Sequence, residues 1–347
     1  MSDRSPFRKR PDSDLLVVDD LHVNFRRSGG FRQRAVSVPA VQGVSFRLQA
    51  GQTLGIAGES GSGKSTIART LMGINRPASG SMHLNGNDIG TLKGRELIEY
   101  RRTMQMVFQD PYDSLDPKMR IGETLLEAIK LRSDRTFHPR AAVEAILGQV
   151  GLSRAFIDRR PGELSGGQRQ RVSIARALCV DPRLILCDEA VSALDVSVRA
   201  QVLNLLKDLQ EELGLAYLFI SHDLSTLRFM ADHVGIMYLG KLVEYGTRDD
   251  VFERPQHPYT KALLAAVPEP IVRETGSRVA RLRLSGEPPS AVNPPSGCSF
   301  HPRCPIAQDI CRTNEPTMRT TASGQLTSCH FAESTDFVAV TQKGAQT

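Results

Sequence analysis

Short apolar runs alternate with amphipathic stretches along most of the chain. Seven runs have the length and apolar content of strands, and they are residues 15–18, 21–25, 41–48, 53–57, 184–187, 216–220 and 234–239. Between them, Val143, Ile146, Leu147 and Val150 lie at the i, i+3, i+4, i+7 positions of one helix face, and residues 198–213 repeat that pattern. Because the strands alternate with helices, the pattern predicts an α/β fold with a largely parallel sheet.

Changes in composition divide the chain into three parts. Residues 1–13 are polar and basic, which predicts a disordered leader. Residues 14–267 carry the alternating strands and helices, with an inserted, mostly helical block at about 110–182. Prolines from residue 268 onward separate an extension, 268–347, in which the periodicity fades and a flexible tail is expected.

Composition narrows the class of protein. The 347 residues are 40% hydrophobic and 24% charged, as in ordinary globular domains. No apolar run approaches the ~20 residues of a membrane helix, and the first residues lack the apolar core of a secretory signal, so we expect a soluble, cytosolic protein. The formal charge of +6 is spread along the chain. The arginines of 26–34 are interpreted as a solvated loop, with nucleotide or anionic lipid as alternatives, and no nucleic-acid partner is predicted.

A phosphate-binding loop is predicted between the strand at 53–57 and a helix at 66–72. Its residues are Gly58, Glu59, Ser60, Gly61, Ser62, Gly63, Lys64 and Ser65, followed by Thr66, and they match G-x-x-x-x-G-K-[ST]. Glycines let consecutive N–H groups point at phosphate oxygens, and the helix start adds partial positive charge. Lys64 would contact the β- and γ-phosphates and Ser65 would bind Mg²⁺. The motif alone leaves kinases, GTPases, helicases and transporter ATPases open.

Two further motifs carry chemistry that fits a nucleotide. Asp188 ends the strand at 184–187 and could hold Mg²⁺, while Glu189 could polarise an attacking water. Ser165, Gly166, Gly167 and Gln168 precede a helical run and offer N–H groups and a hydroxyl to a second anion. Each motif alone has an ordinary alternative: the acids could be solvated loop residues, and Ser165 could be a plain helix cap.

The order of these motifs resembles the ATPase domain of ABC transporters. The phosphate-binding loop, Gln109, the LSGGQ run, the LILCDE run and the segments 192–195 and 221–223 follow one another at similar spacing within residues 14–267. The resemblance implies a P-loop NTPase fold with an inserted helical subdomain and a small cysteine-containing C-terminal extension. It also implies two such domains that face head to tail, each ATP being held between one phosphate-binding loop and the opposite LSGGQ run.

Site roles follow from the resemblance. Gln109 would sense Mg²⁺ and the γ-phosphate and couple to the membrane partner, and Asp195 would cross the dimer interface near the attacking water. His222 would contact the γ-phosphate and organise Glu189. Together with Lys64, these residues give a catalytic set of Glu189, His222, Gln109 and Lys64, and a Mg²⁺ set of Ser65, Gln109 and Asp188. An upstream aromatic usually stacks on adenine; Phe25 is the candidate, with Phe31 as the alternative and a core role also open for Phe25.

More specific segments resemble the ATPases of oligopeptide and dipeptide importers. These segments are residues 107–112, 114–117, 191–197, 257–264 and 297–305. The resemblance implies two membrane permease subunits, a second ATPase subunit of the same or a different kind, and an extracytoplasmic substrate-binding protein, with the chain at the cytoplasmic face of a bacterial inner membrane. Importers of nickel, glutathione and opines are alternatives. A soluble ABC ATPase of DNA repair or translation, and an iron–sulfur protein with a vestigial ATPase, are less favoured.

Four of the six cysteines lie close together in the extension. Cys298, Cys304, Cys311 and Cys329 are separated by 5, 6 and 17 residues. In a segment poor in apolar residues, a metal could replace a hydrophobic core. The wide spacing favours a [4Fe–4S] cluster over Zn²⁺, which prefers tighter pairs, and free thiols are the third alternative. Cys179 and Cys187 lie in apolar runs and are expected in the core.

Overall fold

The computed structural model describes residues 14–27, 36–110, 114–132, 139–266 and 286–333. The predicted leader, Phe31 and most of the predicted flexible tail lie outside these ranges. The strands are β1 (Asp14–Arg27), β2 (Val36–Gln49), β3 (Thr53–Ala57), β4 (Ser79–Leu84), β5 (Asn87–Asp88), β6 (Met104–Val107), β7 (Leu184–Asp188), β8 (Ala216–Ile220), β9 (His233–Tyr238), β10 (Lys241–Thr247), β11 (Arg319–Thr320) and β12 (Leu326–Thr327). The helices are α1 (Lys64–Leu71), α2 (Gly94–Thr103), α3 (Ile121–Ile129), α4 (Pro139–Gln149), α5 (Gly166–Leu178), α6 (Val196–Leu213), α7 (Leu224–Met230), α8 (Arg248–Glu253), α9 (Pro258–Ala265) and α10 (Asp309–Thr313).

The larger sheet has the order β11-β12-β10-β9-β3-β8-β7-β6. Strands β9, β3, β8, β7 and β6 pair in parallel, which confirms the predicted parallel sheet, whereas β10, β11 and β12 pair antiparallel at one edge. Because the central strands are parallel, their carboxyl ends meet at one edge of the sheet. A second, antiparallel sheet has the order β2-β1-β4-β5. The runs 15–18 and 21–25 form the single strand β1, whose register shifts around Asp20, a residue with φ +48°.

Alternate residues of the central strands enter two different cores. Ile185, Cys187 and Tyr217 pack on the face that also receives the helices α3, α4 and α5, whereas Leu186 and Leu218 pack on the face toward the second sheet. The near-continuous apolar composition of these runs follows from burial on both faces. The helices α3, α4 and α5 contact one another, which confirms a mostly helical block inserted between β6 and β7. No helix of the described residues is long and apolar enough to cross a membrane.

The extension shares a core with the main domain. Its strand β12 pairs with β10, and Phe300, which is 2% exposed, lies with ring centroids 5.3 Å from Tyr238 and 5.4 Å from Tyr259. Aromatic packing of this kind buries a large apolar area. The segment therefore does not need a metal in place of a core, because apolar partners come from β9 and α9.

Glu244 joins three parts of the structure from inside the core. This residue of β10 is 0% exposed, and its carboxylate accepts hydrogen bonds from the backbone N–H of Gln256 (2.6 Å), the backbone N–H of His257 (3.0 Å) and Gln325 Nε2 (2.5 Å). The donors favour the charged carboxylate, but burial opposes it more strongly and raises the pKa of Glu244 to about 7.

We expect the Glu244→Gln variant to lack a pH-dependent part of the stability. The folded pKa lies above the ordinary value of 4.5, so this contribution is complete below pH 4.5 and is lost as the pH rises through about 7. The free energy of unfolding of the wild type, taken relative to the variant, should fall by about 2 to 3 kcal/mol between pH 5 and pH 8 in urea denaturation. A difference that stays constant over this range would contradict the raised pKa.

Candidate nucleotide-binding site

The predicted phosphate-binding loop connects β3 to α1 at the carboxyl edge of the sheet. Gly63 has φ +102°, and a Cβ there would lie 2.3 Å from the carbonyl oxygen of Ala40 in β2. A Cβ at Gly58 would meet the carbonyl oxygen of Met237 in β9 at the same distance. Only glycine fits these two positions, so the neighbouring strands fix the curled path of the loop. Ser60 and Gly61, at the tip, are exposed.

Lys64 lies inside this loop. Its Nζ donates to the carbonyl oxygens of Gly58 (2.7 Å) and Glu59 (2.9 Å), and the side chain is buried. Burial lowers the pKa of Lys64, and the carboxylates of Glu189, Asp188 and Glu59 oppose that shift. An ammonium group in these surroundings is poorly solvated and is therefore a strong partner for added negative charge.

Asp188 and Ser65 meet directly beside Lys64. The Ser65 hydroxyl donates to Asp188 Oδ1 at 2.8 Å, and Asp188 ends β7. Burial raises the pKa of Asp188, although the hydrogen bond from Ser65 opposes the shift. A hydroxyl and a carboxylate at this spacing provide the hard oxygen ligands that Mg²⁺ prefers.

Glu189 and His222 also lie in contact, in agreement with what the family resemblance implied. His222 Nδ1 lies 3.2 Å from Glu189 Oε1, because β7 and β8 are parallel neighbours and each residue follows the end of its strand. Glu189 has φ +51°, a left-handed conformation that costs energy for a residue with a side chain. This turn directs the chain away from β7 directly after Asp188. The side chain of His222 remains 57% exposed, so its ring is accessible to a ligand.

The second predicted anion site lies on a different part of the molecule. Ser165 caps α5, where its hydroxyl accepts from the N–H of Gln168 (3.3 Å) and its own N–H donates to Gln168 Oε1 (3.0 Å). Gly166 and Gly167 lie against Leu194 and Val198, whereas α1 packs against β2 and β7. In the described part of the chain, the LSGGQ run therefore adjoins the segment of Asp195 rather than the phosphate-binding loop. Asp195 precedes α6 and is exposed.

The two remaining predicted residues lie near the edge of the site. Gln109 follows β6, the neighbour of β7, and is exposed. Phe25 lies on β1 opposite Val38 of β2 and is 43% exposed, which argues against the alternative of a core residue. Residues 38 and 40 of β2 are close in sequence, and Ala40 contacts the loop at Gly63. Phe25 thus has the accessibility that stacking on a base requires.

The four cysteines of the extension are neighbours, but their arrangement does not support the predicted metal centre. All four are free, and Cys298 N–H donates to the carbonyl oxygen of Cys311 at 2.8 Å. Burial, followed by the charge of the other thiols, raises the pKa of Cys304 to about 12 and that of Cys329 to about 11. Within the described residues no group of three or more His, Cys, Asp and Glu side chains is spaced to hold a metal ion. Cys179 and Cys187 are buried in the core, as predicted.

One contact at the site was missed by sequence reasoning. Arg303 of the extension pairs with Glu59 of the phosphate-binding loop, and the Tyr259 hydroxyl accepts from the N–H of Glu59 at 3.0 Å. Both partners lie within segments whose sequence suggested the importer resemblance, 297–305 and 257–264. Nothing in the sequence shows that Tyr259 and Arg303 meet a residue 200 and 244 positions away along the chain.

Comparison with known proteins decides the family. Residues 41–192 match the family model of ABC transporters, and residues 243–311 match the C-terminal region of oligopeptide/dipeptide transporters. A probable peptide ABC transporter ATP-binding protein of Sinorhizobium fredii, y4tS, is 48% identical over 318 residues, which cover 91% of this chain and 89% of that protein. This chain belongs to the family of ABC transporter ATP-binding proteins.

Other relatives of this ABC family extend over most of the chain. The oligopeptide transport ATP-binding protein AppF of Bacillus subtilis is 48% identical, covering 91% of this chain and 97% of that protein. The oligopeptide transport ATP-binding protein OppF of Salmonella typhimurium is 47% identical, covering 88% of this chain and 92% of that protein. The fold resembles a solved dimer of the ATP-binding cassette MJ0796 in a post-hydrolysis state with ADP and Pi, with a TM-score of 0.59, 27% identity, and coverage of 67% of this chain and 98% of that chain. The cbiO1 protein of Clostridium perfringens gives a TM-score of 0.60 at 26% identity, covering 70% and 92% of the two chains.

We expect the Gly167→Ala variant of this ABC protein to be destabilised at the start of α5. A Cβ at Gly167 would lie 2.4 Å from Val198 Cγ1, whereas a Cβ at Gly166 would lie 3.7 Å from Leu194 Cδ2. Both substitutions gain helix propensity, but only Gly167→Ala overpacks the contact between α5 and α6, at a cost of about 1 to 3 kcal/mol relative to Gly166→Ala. Urea denaturation measures the difference.

The double variant Gly167→Ala/Val198→Ala tests the cause of that loss. Removal of the Val198 methyl groups should restore part of the stability, because the atom that the new methyl meets is then gone. If Gly166→Ala and Gly167→Ala are equally stable, or if the Val198 substitution gives no recovery, the proposed steric conflict is wrong.

Proposed function

We propose that this chain is the ATP-hydrolysing subunit of an importer of dipeptides and oligopeptides. The observation that carries the proposal is the convergence of Lys64, Ser65, Asp188, Glu189 and His222 at one edge of the sheet, in a chain that also has the C-terminal region of oligopeptide/dipeptide transporters. The convergence supports ATP hydrolysis, and the named peptide transporters among its relatives support the class of substrate.

Binding of the triphosphate would use the loop and its lysine. In the structure Lys64 Nζ is satisfied by two backbone carbonyl groups, and the β- and γ-phosphates would replace them as its partners. The N–H groups of Ser62, Gly63, Lys64, Ser65 and Thr66 precede or open α1, where the helix start favours anions. Phe25 would stack on the adenine.

The oxygen atoms of Ser65 and Asp188, with Gln109 nearby, fit the requirements of a Mg²⁺ ion. When bound, Mg²⁺ would neutralise part of the phosphate charge and polarise the γ-phosphate. Burial raises the pKa of Asp188, while the Ser65 hydroxyl and the charges of Arg69 and Lys64 oppose that shift, so a bound cation would further favour the charged carboxylate.

Hydrolysis would depend on Glu189. Its carboxylate would orient and deprotonate the attacking water, and His222, 3.2 Å away, would hold the carboxylate in position while its exposed ring contacts the γ-phosphate. Both residues follow strands of the rigid central sheet, so little rearrangement of the backbone is needed at the moment of reaction.

Two copies of the ATPase architecture would share each ATP. The start of α5, where Ser165 is exposed, Gly166 and Gln168 are half-buried and Gly167 is buried, and the exposed Asp195 would complete the site of a partner subunit. The second set of donors reaches the γ-phosphate only when the subunits close, so ATP would favour the closed dimer and loss of phosphate would favour the open one. The partner could be a second copy or a different ATPase chain.

The ATPase pair would bind two membrane permease subunits at the cytoplasmic face of a bacterial inner membrane. An extracytoplasmic binding protein would deliver the substrate to the permeases. Peptides are proposed because the named relatives of the chain are peptide transporters. Nickel, glutathione and opines serve as competing substrates in the experiment that follows.

We expect the Glu189→Gln variant to lose ATP hydrolysis while it retains ATP. Loss of a general base typically lowers turnover by about 10²- to 10⁴-fold. ATPase assays of the permease complex measure this change, and binding of a fluorescent ATP analogue serves as the second readout. Glu212→Gln, an exposed position at the end of α6, is the matched control and should keep full turnover.

Uptake by cells separates the substrate classes in the same experiment. A strain that lacks the gene should regain uptake of a labelled tripeptide with the wild type and with Glu212→Gln, but not with Glu189→Gln. Competition by unlabelled peptides but not by nickel, glutathione or opines would support the peptide assignment. Full ATPase activity of Glu189→Gln would contradict the role of this residue, and uptake of nickel instead of peptide would contradict the substrate class.

We propose further that Cys298, Cys304, Cys311 and Cys329 bind a [4Fe–4S] cluster, with Zn²⁺ as the alternative. Four neighbouring thiols are the donor set that either metal centre uses, although the side chains would have to turn toward a common point. Ligation requires thiolates, and burial raises the pKa of Cys304 and of Cys329, so loading would release protons.

Metal analysis of the full chain purified without oxygen tests this assignment. We expect about four iron atoms per chain and a brown colour, both lost in the Cys311→Ser variant, whereas Cys179→Ser, at a core position, should retain the iron. Stoichiometric zinc in a colourless protein would support the alternative. Absence of both metals would contradict the proposal and favour free thiols.

A further inference from the structure

The extension contacts the phosphate-binding loop through one buried ion pair. Arg303 Nη1 donates to Glu59 Oε2 at 3.0 Å and Nη2 donates to Glu59 Oε1 at 3.1 Å, so the guanidinium holds both carboxylate oxygens. The side chain of Arg303 is 6% exposed and that of Glu59 is 24% exposed. A two-point contact of this kind fixes orientation as well as distance.

Contacts other than the ion pair with Glu59 also hold Arg303 in place. It ends a short 3₁₀ turn, His301–Arg303, in which its N–H donates to the carbonyl oxygen of Phe300 at 3.0 Å. Its guanidinium carbon lies 5.9 Å from the centre of the Tyr238 ring, and that ring packs edge-on against Phe300. The aromatic packing that joins the extension to the domain therefore also orients the guanidinium.

Glu59 is the junction at which several parts of the molecule meet. Its N–H donates to the Tyr259 hydroxyl of α9 (3.0 Å), its carbonyl oxygen accepts from Lys64 Nζ (2.9 Å), and its carboxylate is held by Arg303. The next residues, Ser60 and Gly61, are exposed, and a Cβ at Gly61 would meet no atom within 4 Å. Without Arg303, the carboxylate of Glu59 would lose its two-point partner, while the backbone contact to Tyr259 would remain.

We propose that Arg303 is a positioning residue for nucleotide binding, acting through Glu59 on the loop that holds Lys64. The inference rests on the proposed binding of ATP to this loop. Two effects act in the same direction. The ion pair orders the loop before the nucleotide arrives, so less conformational entropy is lost on binding. It also neutralises a carboxylate that would otherwise repel the triphosphate.

The test compares variants of the two partners in the full chain. Arg303→Met removes both effects, and the dissociation constant for a non-hydrolysable ATP analogue with Mg²⁺ should rise about tenfold. Arg303→Lys keeps the charge but loses the two-point contact, and should fall between the wild type and Arg303→Met. Arg312→Met is the matched control, because Arg312 lies in the same extension with its side chain 64% exposed.

The double variant Arg303→Met/Glu59→Gln separates a specific pair from general damage. The double variant has no unpaired carboxylate at the loop, so it should bind the analogue more tightly than Arg303→Met does. Its dissociation constant should therefore be lower than the value expected if the fold-increases of the two single variants multiplied. In steady-state assays the KM for ATP should rise more than kcat falls. Thermal unfolding of each variant identifies losses that come only from a destabilised fold.

The binding measurements distinguish failure of the positioning role from failure of the proposed function. Binding by Arg303→Met that equals the wild type, or losses from the two single variants that multiply, would overturn the inference. Lys64→Ala provides the reference for the proposed function: it should lose binding in every background. If the wild type itself does not bind the analogue, the proposed function fails, whereas an unchanged Arg303→Met in a wild type that binds ATP removes only the positioning role.

Discussion

The site depends on the parallel pairing of β3, β7 and β8. Because these strands run in the same direction, the loop after β3, the carboxylates after β7 and the histidine after β8 emerge at one edge of one sheet. The strands are buried on both faces, and the chain leaves β7 in a costly left-handed conformation at Glu189, with φ +51°. The contact between Glu189 and His222 follows from the order of the strands, because β7 and β8 are parallel neighbours.

Several charged side chains lie close together and buried at the same edge of the sheet. Lys64 is buried near three carboxylates, and Asp188 is buried with a hydroxyl as its closest partner. Such a group of charges costs free energy unless further ligands complete it. A triphosphate with a divalent cation supplies both signs at once, which explains why the arrangement suits nucleotide binding better than it suits stability. Ser165, which caps α5, remains exposed on a different part of the molecule.

The sequence predicted what is local or strongly periodic. The loop between 53–57 and Lys64, the carboxylates after 184–187 and the helical block are each encoded within short segments, and the structure contains all of them. Strands β4, β5, β6 and β10 and helix α2 were missed because they are short or expose one face, so their apolar pattern is weak. The packing of Phe300 on Tyr238 and Tyr259 could not be predicted either, because a single apolar residue in a proline-rich segment carries no periodicity. Because of this packing, the extension is part of the main core and not a separate segment.

The extension is attached to the main domain at two places, the edge of the sheet and the phosphate-binding loop. At the sheet edge β12 pairs with β10 and Gln325 reaches the buried Glu244, while Arg303 reaches Glu59 at the loop. If the contact with Arg303 favours ATP binding by some factor, bound ATP must favour that contact by the same factor, since coupling between two equilibria is reciprocal. A change in the contact between Arg303 and Glu59 would then change the affinity for nucleotide, and nucleotide binding would change the strength of that contact.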